Sequence, residues 1–165
     1  MTDSETVRQR DEETKAPEDA IAPSPRPGVS VSPILAAVVA LAGIADGVYL
    51  TIHHYTAEPV PCGEAFDCGA VLNSSYAEIA GIPLAAFGAA AYFVAFSLAL
   101  LAAFGNRLMW KVFTVQIVLM SLFTLWLVYL QAFVIKAWCQ FCLISAGITF
   151  TLLIIVIISK FWRSK

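Results

Sequence analysis

Cys139-Gln140-Phe141-Cys142-Leu143-Ile144-Ser145-Ala146-Gly147-Ile148-Thr149-Phe150-Thr151-Leu152-Leu153-Ile154-Ile155-Val156-Ile157-Ile158 is a cysteine pair joined to an apolar run that no charge interrupts. A helical membrane span needs roughly 20 apolar residues, and this run supplies them once the pair itself is included. Three similar runs precede it, at about 33–53, 83–104 and 112–135, with the quoted one covering about 139–160. The sequence therefore predicts an all-α membrane protein. Its expected form is a four-transmembrane-helix bundle with a short amphipathic outer helix and a cysteine-bearing outer loop.

Composition agrees with that reading. Of 165 residues, 59% are hydrophobic and 13% charged, and mean hydropathy is +0.78. Soluble domains carry about 25% charged residues, so water-soluble alternatives are excluded. Charges concentrate in residues 1–28, which hold seven acidic and four basic residues with Pro17, Pro23, Pro25 and Pro27 and show no apolar periodicity. The segment reads as a disordered cytoplasmic tail. It does not read as a secretory signal, which would open on a basic stretch followed at once by an apolar core. Residues 29–165 then form one transmembrane domain.

Basic residues set the expected orientation. Arg8, Arg10, Lys15 and Arg26 precede span one, Arg107 and Lys111 separate spans two and three, and Lys160, Arg163 and Lys165 follow span four. Only Lys136 falls on the other side. Cytoplasmic loops are enriched in Lys and Arg, so both termini are expected in the cytoplasm. Loop 54–82 and the turn 136–138 then face outward, and all four cysteines lie outside or at the outer boundary. Disulfides persist in such exported compartments. The outer loop carries Glu58, Glu64, Asp67 and Glu78 but no Lys or Arg, which reads chiefly as solvation.

Within span one, Gly43 and Gly47 have the small-xxx-small spacing that lets helices approach closely. Asp46, between them, is an ionisable group in a membrane segment and reads either as a structural hydrogen bonder or as functional. His53, His54 and Tyr55 read as interfacial. The prolines and glycines from Pro59 to Gly69 argue against helix through Cys62. Near-helical spacing of Val71, Leu72, Tyr76, Ile79 and Ala80 predicts a short amphipathic helix over 70–80. Gly105-Asn106 reads as the cap closing span two, and Trp110, Trp138 and Trp162 as boundary markers. The polar residues of span three, Gln116 and Gln131 among them, read as packing and interhelical hydrogen bonds.

Cys139 and Cys142, at i and i+3, would share one helix face, about 4.5 Å apart along the axis. Cys139 would occupy the first turn of span four, where the positive end of a helix favours thiolate. Cys142 would be the more buried and nearer lipid, able to face a hydrophobic oxidant. Such a dithiol can pass electrons between a water-soluble protein and a lipid-soluble carrier. Cys62 and Cys68 are spaced to close a disulfide. Alone they read as a loop staple; with the boundary pair, a thiol–disulfide relay becomes the better account. A tetrahedral zinc site fits this spacing and placement poorly, and no metal ligands are assigned.

The stretch Cys62…Cys68-Gly-Ala-Val-Leu-Asn-Ser-Ser-Tyr-Ala…Gly81-Ile-Pro-Leu-Ala-Ala-Phe87-Gly88, followed by Cys139-x-x-Cys142, resembles the vitamin K epoxide reductase family over about 33–160. It is most similar to the bacterial members that form disulfides. Another quinone-coupled family with four spans and two cysteine pairs places its Cys-x-x-Cys in the first outer loop, the reverse of the order here. The resemblance implies a four-helix bundle around a quinone (menaquinone or ubiquinone), lidded by the outer loop. It further implies that Cys62 meets the partner protein, that Cys68 attacks the inner pair, that Cys139 is its target and that Cys142 reduces the quinone. Ser74 matches a family serine near the redox centre, and Phe87 a residue lining the quinone pocket. The vertebrate enzymes have a tyrosine where this chain has Ala146, and an asparagine where Leu84 is placed. Both residues help hold vitamin K there, so an ordinary respiratory quinone is the expected substrate. Many bacterial relatives carry a fused thioredoxin-like domain, and this chain ends at Lys165, which makes a separate thioredoxin-like extracytoplasmic oxidoreductase the expected partner.

The expected function is therefore a quinone-dependent, protein-disulfide-forming oxidoreductase in the bacterial inner (plasma) membrane, with lipid and quinone as further partners and no nucleic acid. Two alternatives from other classes are a non-enzymatic membrane protein with structural disulfides and a Cys-ligated metal-binding membrane protein.

Overall fold

The computed structural model describes residues 31–163. The tail assigned to 1–28 and the side chain of Trp162 lie outside what is described. Four long helices make up the molecule: α1 (Val31–Thr56), α3 (Leu84–Ala103), α4 (Arg107–Tyr129, continued by a π-helical turn, Leu130–Ile135) and α5 (Gln140–Arg163). All four are long and apolar enough to cross a membrane. The protein is a four-helix integral membrane protein.

Each helix buries a narrow stripe and turns its larger apolar residues outward, as expected where lipid is the solvent. In α1 the buried stripe is small: Ala36, Ala37, Ala40, Gly43 and Gly47. It meets Ala95, Ala99 and Ala102 of α3, and small residues on both sides let the two backbones approach. A Cβ on Gly47 would lie 3.0 Å from Ala89 of α3, and one on Gly43 only 2.5 Å from the Tyr92 ring. The helices close a ring, α1 on α3, α3 on α4, α4 on α5 and α5 on α1. Tyr92 spans the interior of that ring. Its hydroxyl bonds the carbonyl of Ser145 (2.8 Å) and the Thr149 hydroxyl (2.7 Å) of α5. Gln116 Nε2 donates to the Ala91 carbonyl at 2.8 Å, tying α4 to α3.

Several boundaries differ from the sequence-based expectation. The short helix expected over 70–80, α2, is only Cys68–Leu72, starting earlier and ending sooner. Asp67 caps its start, and the chain then turns through Asn73–Ala77 into a two-residue hairpin, β1 (Glu78–Ile79) and β2 (Ile82–Pro83). The hairpin turn puts both Ala80 (φ 54°) and Gly81 (φ 79°) in the left-handed region, the geometry that matches strand twist in tight hairpins. At the other end of the bundle Gly105 (φ 92°) makes the left-handed turn after α3. Asn106 caps α4 rather than α3, accepting from the amides of Leu108 (3.1 Å) and Met109 (3.3 Å). Helix α4 therefore begins five residues before the apolar run does, because a cap, and not hydropathy, starts it. Trp110, in the first turn of α4, is buried and stacks on Phe113 with ring centroids 5.1 Å apart. Trp138 is half-exposed at the cysteine-bearing end.

Candidate functional site

The cysteine-bearing end of the bundle collects the end of α1, the short α2, the π-helical turn and the start of α5. Cys62 and Cys68 form a disulfide, with Cα atoms 6.3 Å apart. Asp67 does two things. Its Oδ1 accepts from the Ala70 amide at 2.9 Å, capping α2, and its own amide donates to the Trp138 carbonyl at 3.0 Å. The amide of Gly63 donates to Gln140 Oε1 at 3.1 Å. Both ends of the bridged loop are thus fastened to the residues on either side of Cys139.

Cys139 lies just before α5, not in its first turn. It occupies the capping position: its carbonyl accepts from the Leu143 amide at 3.1 Å, and its Sγ accepts from the Cys142 amide at 3.4 Å. Standing ahead of the fourth membrane-spanning helix, its thiol is held below the usual range. The hydrogen bond from the Cys142 side chain is the main cause, the amides of Cys142 and Phe141 add to it, and burial opposes it. The two amides act as those at helix N-termini generally do, favouring thiolate.

Burial of the inner pair is the reverse of the sequence-based expectation. Cys139 is 0% exposed and Cys142 is partly open. Cys139 packs in one cluster with Cys68 and Val71, with Cys62 and Cys142 against its edges. Cys142, although deeper along the helix axis, stands in the wall of a cavity. Depth in the membrane and burial in the protein are different quantities, and the cavity separates them.

That cavity, of about 690 Å³, runs from the cysteine-bearing loop into the bundle. Ser74 and Phe87 both line it, as do Asp46, Tyr92 and Ala146. Ser74 donates its hydroxyl hydrogen bond to the Val71 carbonyl at 2.7 Å. His53 also lines the cavity, and its Nδ1 is buried without a hydrogen-bond partner. His54 Nε2 sits 3.2 Å from Glu78 Oε1, which pins the hairpin to the end of α1; a half-exposed pair of this kind contributes about 0–1 kcal/mol. Among the described residues no group of three or more His, Cys, Asp or Glu is placed to hold a metal ion.

Two residues at this site have roles that their sequence context does not show. His53 reads as interfacial, yet it faces the cavity. Gln131 reads as a source of interhelical packing bonds, and the bond it makes is to the redox segment: its Oε1 accepts from the Cys139 amide at 3.0 Å. A signal exists for Gln131, a lone amide eight residues before a Cys-x-x-Cys in an otherwise apolar stretch. Nothing in the sequence says that the π-helical turn would rotate it toward Cys139.

One disulfide, two free thiols packed beside it and a cavity reaching one of those thiols make an arrangement suited to thiol–disulfide exchange next to a membrane-soluble reactant. No curated protein matches the chain. The sequence profile of the vitamin K epoxide reductase family matches residues 34–157. The chain belongs to the vitamin K epoxide reductase family.

Proposed function

We propose that this membrane thiol oxidoreductase reoxidises a thioredoxin-like extracytoplasmic protein and passes the electrons through its two cysteine pairs to a membrane quinone, supporting disulfide bond formation. Family members use quinones generally; menaquinone or ubiquinone is proposed here, in a bacterial inner membrane with both termini cytoplasmic. The observation that carries the reading is the clustering of Cys68 with Cys139 while Cys142 opens onto the cavity.

Cys62 is the less buried sulfur of the outer bridge, so a partner thiolate attacks there and Cys68 leaves as thiolate. The second partner thiol resolves that mixed disulfide, releasing oxidised partner and a Cys62/Cys68 dithiol. Cys68 then attacks Cys139 of an oxidised Cys139–Cys142 pair. The Cys68–Cys139 bond forms, the Cys139–Cys142 bond breaks, and Cys142 is left as thiolate at the cavity wall. Cys62 attacks Cys68 to restore the outer bridge and frees Cys139. The pairing present in the structure, outer pair bridged and inner pair free, is the state this last step produces.

The cavity fits a quinone. Leu50, Leu72, Leu127 and Val128 give it apolar walls, and the unpartnered Nδ1 of His53 is free to meet a ring oxygen. When bound, a quinone would supply the two-electron acceptor for the Cys139/Cys142 dithiol, the cofactor doing the chemistry while the protein positions and dries the site. Ser74 and Phe87 are the proposed lining residues, with Cys142 as electron donor.

The test is oxidation of a reduced thioredoxin-like protein by the purified enzyme with added quinone. Cys139→Ala and Cys142→Ala each abolish it. Retained turnover in both variants defeats the relay and leaves static disulfides as the better account.

A further inference from the structure

Resting on the relay just described, we propose that Gln131 is a positioning residue for Cys139, supplying from another helix the acceptor that the start of α5 cannot supply for itself. The residue that caps a helix N-terminus commonly has its own amide satisfied by a Glu or Gln side chain three positions on. In α5 that third position is Cys142, which has no such oxygen and is committed to redox chemistry. The Cys139 amide would then be a buried donor without a partner, a costly arrangement. Gln131 Oε1 takes that bond at 3.0 Å. Because an amide nitrogen is the donor, the Gln131 atom facing it is the oxygen. Gln131 is 3% exposed and is set in the π-helical turn Leu130–Ile135. The extra residue of such turns recurs at functional sites.

The bond fixes the Cys139 backbone while Cys139 Sγ is held by the Cys142 amide. The bonds from Asp67 to Trp138 and from Gly63 to Gln140 hold the Cys62–Cys68 loop to the same segment. Gln131 therefore fixes the sulfur that exchanges with Cys68. A displacement of about 1 Å at a reacting atom can cost roughly 100-fold in rate.

The experiment needs no quinone. In a Cys142→Ala background, the Cys139 thiolate attacks Cys68 of the outer bridge. The Cys68–Cys139 bond forms, the Cys62–Cys68 bond breaks, and Cys62 leaves as thiolate, so electrons balance without an added oxidant. The rate and yield of that disulfide are followed by mass spectrometry at about pH 9, above the ordinary thiol range. Gln131→Met keeps the volume and removes the acceptor; Gln131→Glu keeps an acceptor at the same reach. The expected result is a drop of roughly 10- to 100-fold for Met and substantial retention for Glu. A residue that only fills space gives the opposite order, because Met suits an apolar packing site and Glu does not, and that result overturns the proposal, as does an unchanged rate in both variants. If no Cys68–Cys139 disulfide forms even with Gln131 intact, the relay itself has failed, and this proposal falls with it. Should the Met variant not fold, the Glu variant alone decides, since loss of exchange in a folded Glu chain refutes positioning by an acceptor oxygen.

Discussion

Gly43→Ala tests how the bundle is locked around the cavity. A Cβ added at Gly43 would lie 2.5 Å from Cδ1 and 2.6 Å from Cε1 and Cγ of Tyr92. Carbon atoms pack at about 3.5–4.0 Å, so the ring has to retreat by about 1 Å. It has little room to do so, because Tyr92 is 2% exposed and its hydroxyl is engaged by Ser145 and Thr149 at 2.7–3.0 Å. A shift of that size carries those bonds past hydrogen-bonding range. Overpacking costs about 1–3 kcal/mol, and each neutral hydrogen bond lost adds about 0.5–1.5 kcal/mol. Partial relaxation of the helices reduces the sum, so the expected loss is roughly 2–4 kcal/mol. The assay is reversible unfolding in mixed detergent micelles, run as a double-mutant cycle with Tyr92→Leu. If the ring is what the added methyl group strikes, the double variant recovers at least about 1 kcal/mol relative to additivity. A Gly43→Ala chain within about 0.5 kcal/mol of the parent, or a cycle with no coupling, sinks this account of the lock.

Two further outcomes are expected. The ultraviolet thiolate absorbance of reduced Cys139 should persist to lower pH than for an ordinary thiol, near 8.5, because its thiol is held down chiefly by the Cys142 side chain. Only the thiolate gives that band, so a lowered pKa keeps it as pH falls, and no reagent has to reach a sulfur that is 0% exposed. Cys142→Ala should move the profile to higher pH, and an unmoved profile removes that side chain as the cause. After mild reduction of intact cells, a membrane-impermeant maleimide should label Cys62; labelling only from the cytoplasmic side overturns the proposed orientation.

The four spans were legible because hydropathy over some twenty residues is a local property that lipid enforces independently of neighbouring helices. The grouping of the cysteines at one end was legible for a related reason: an even number of crossings separates the outer loop from the start of the fourth helix. The extent of α2 was not. The spacing of Val71, Leu72, Tyr76 and Ile79 imitates a longer helix, but Asp67 fixes its start and the Ala80-Gly81 turn draws the later residues into a hairpin. Start sites set by a single capping side chain, such as Asn106 for α4, are similarly invisible to a sliding window.

Residue types and their spacing within a few turns suffice for the membrane class, the number of spans, the two cysteine pairs and their order along the chain. They do not suffice for three facts that emerge only when the helices pack. Cys139 is sealed against Cys68 while Cys142 meets the cavity, His53 faces that cavity, and Gln131 reaches the Cys139 amide. Each depends on the rotation of a helix about its own axis. Neighbouring side chains and one π-helical turn set that rotation, and a hydropathy pattern nearly uniform around each helix leaves it unspecified.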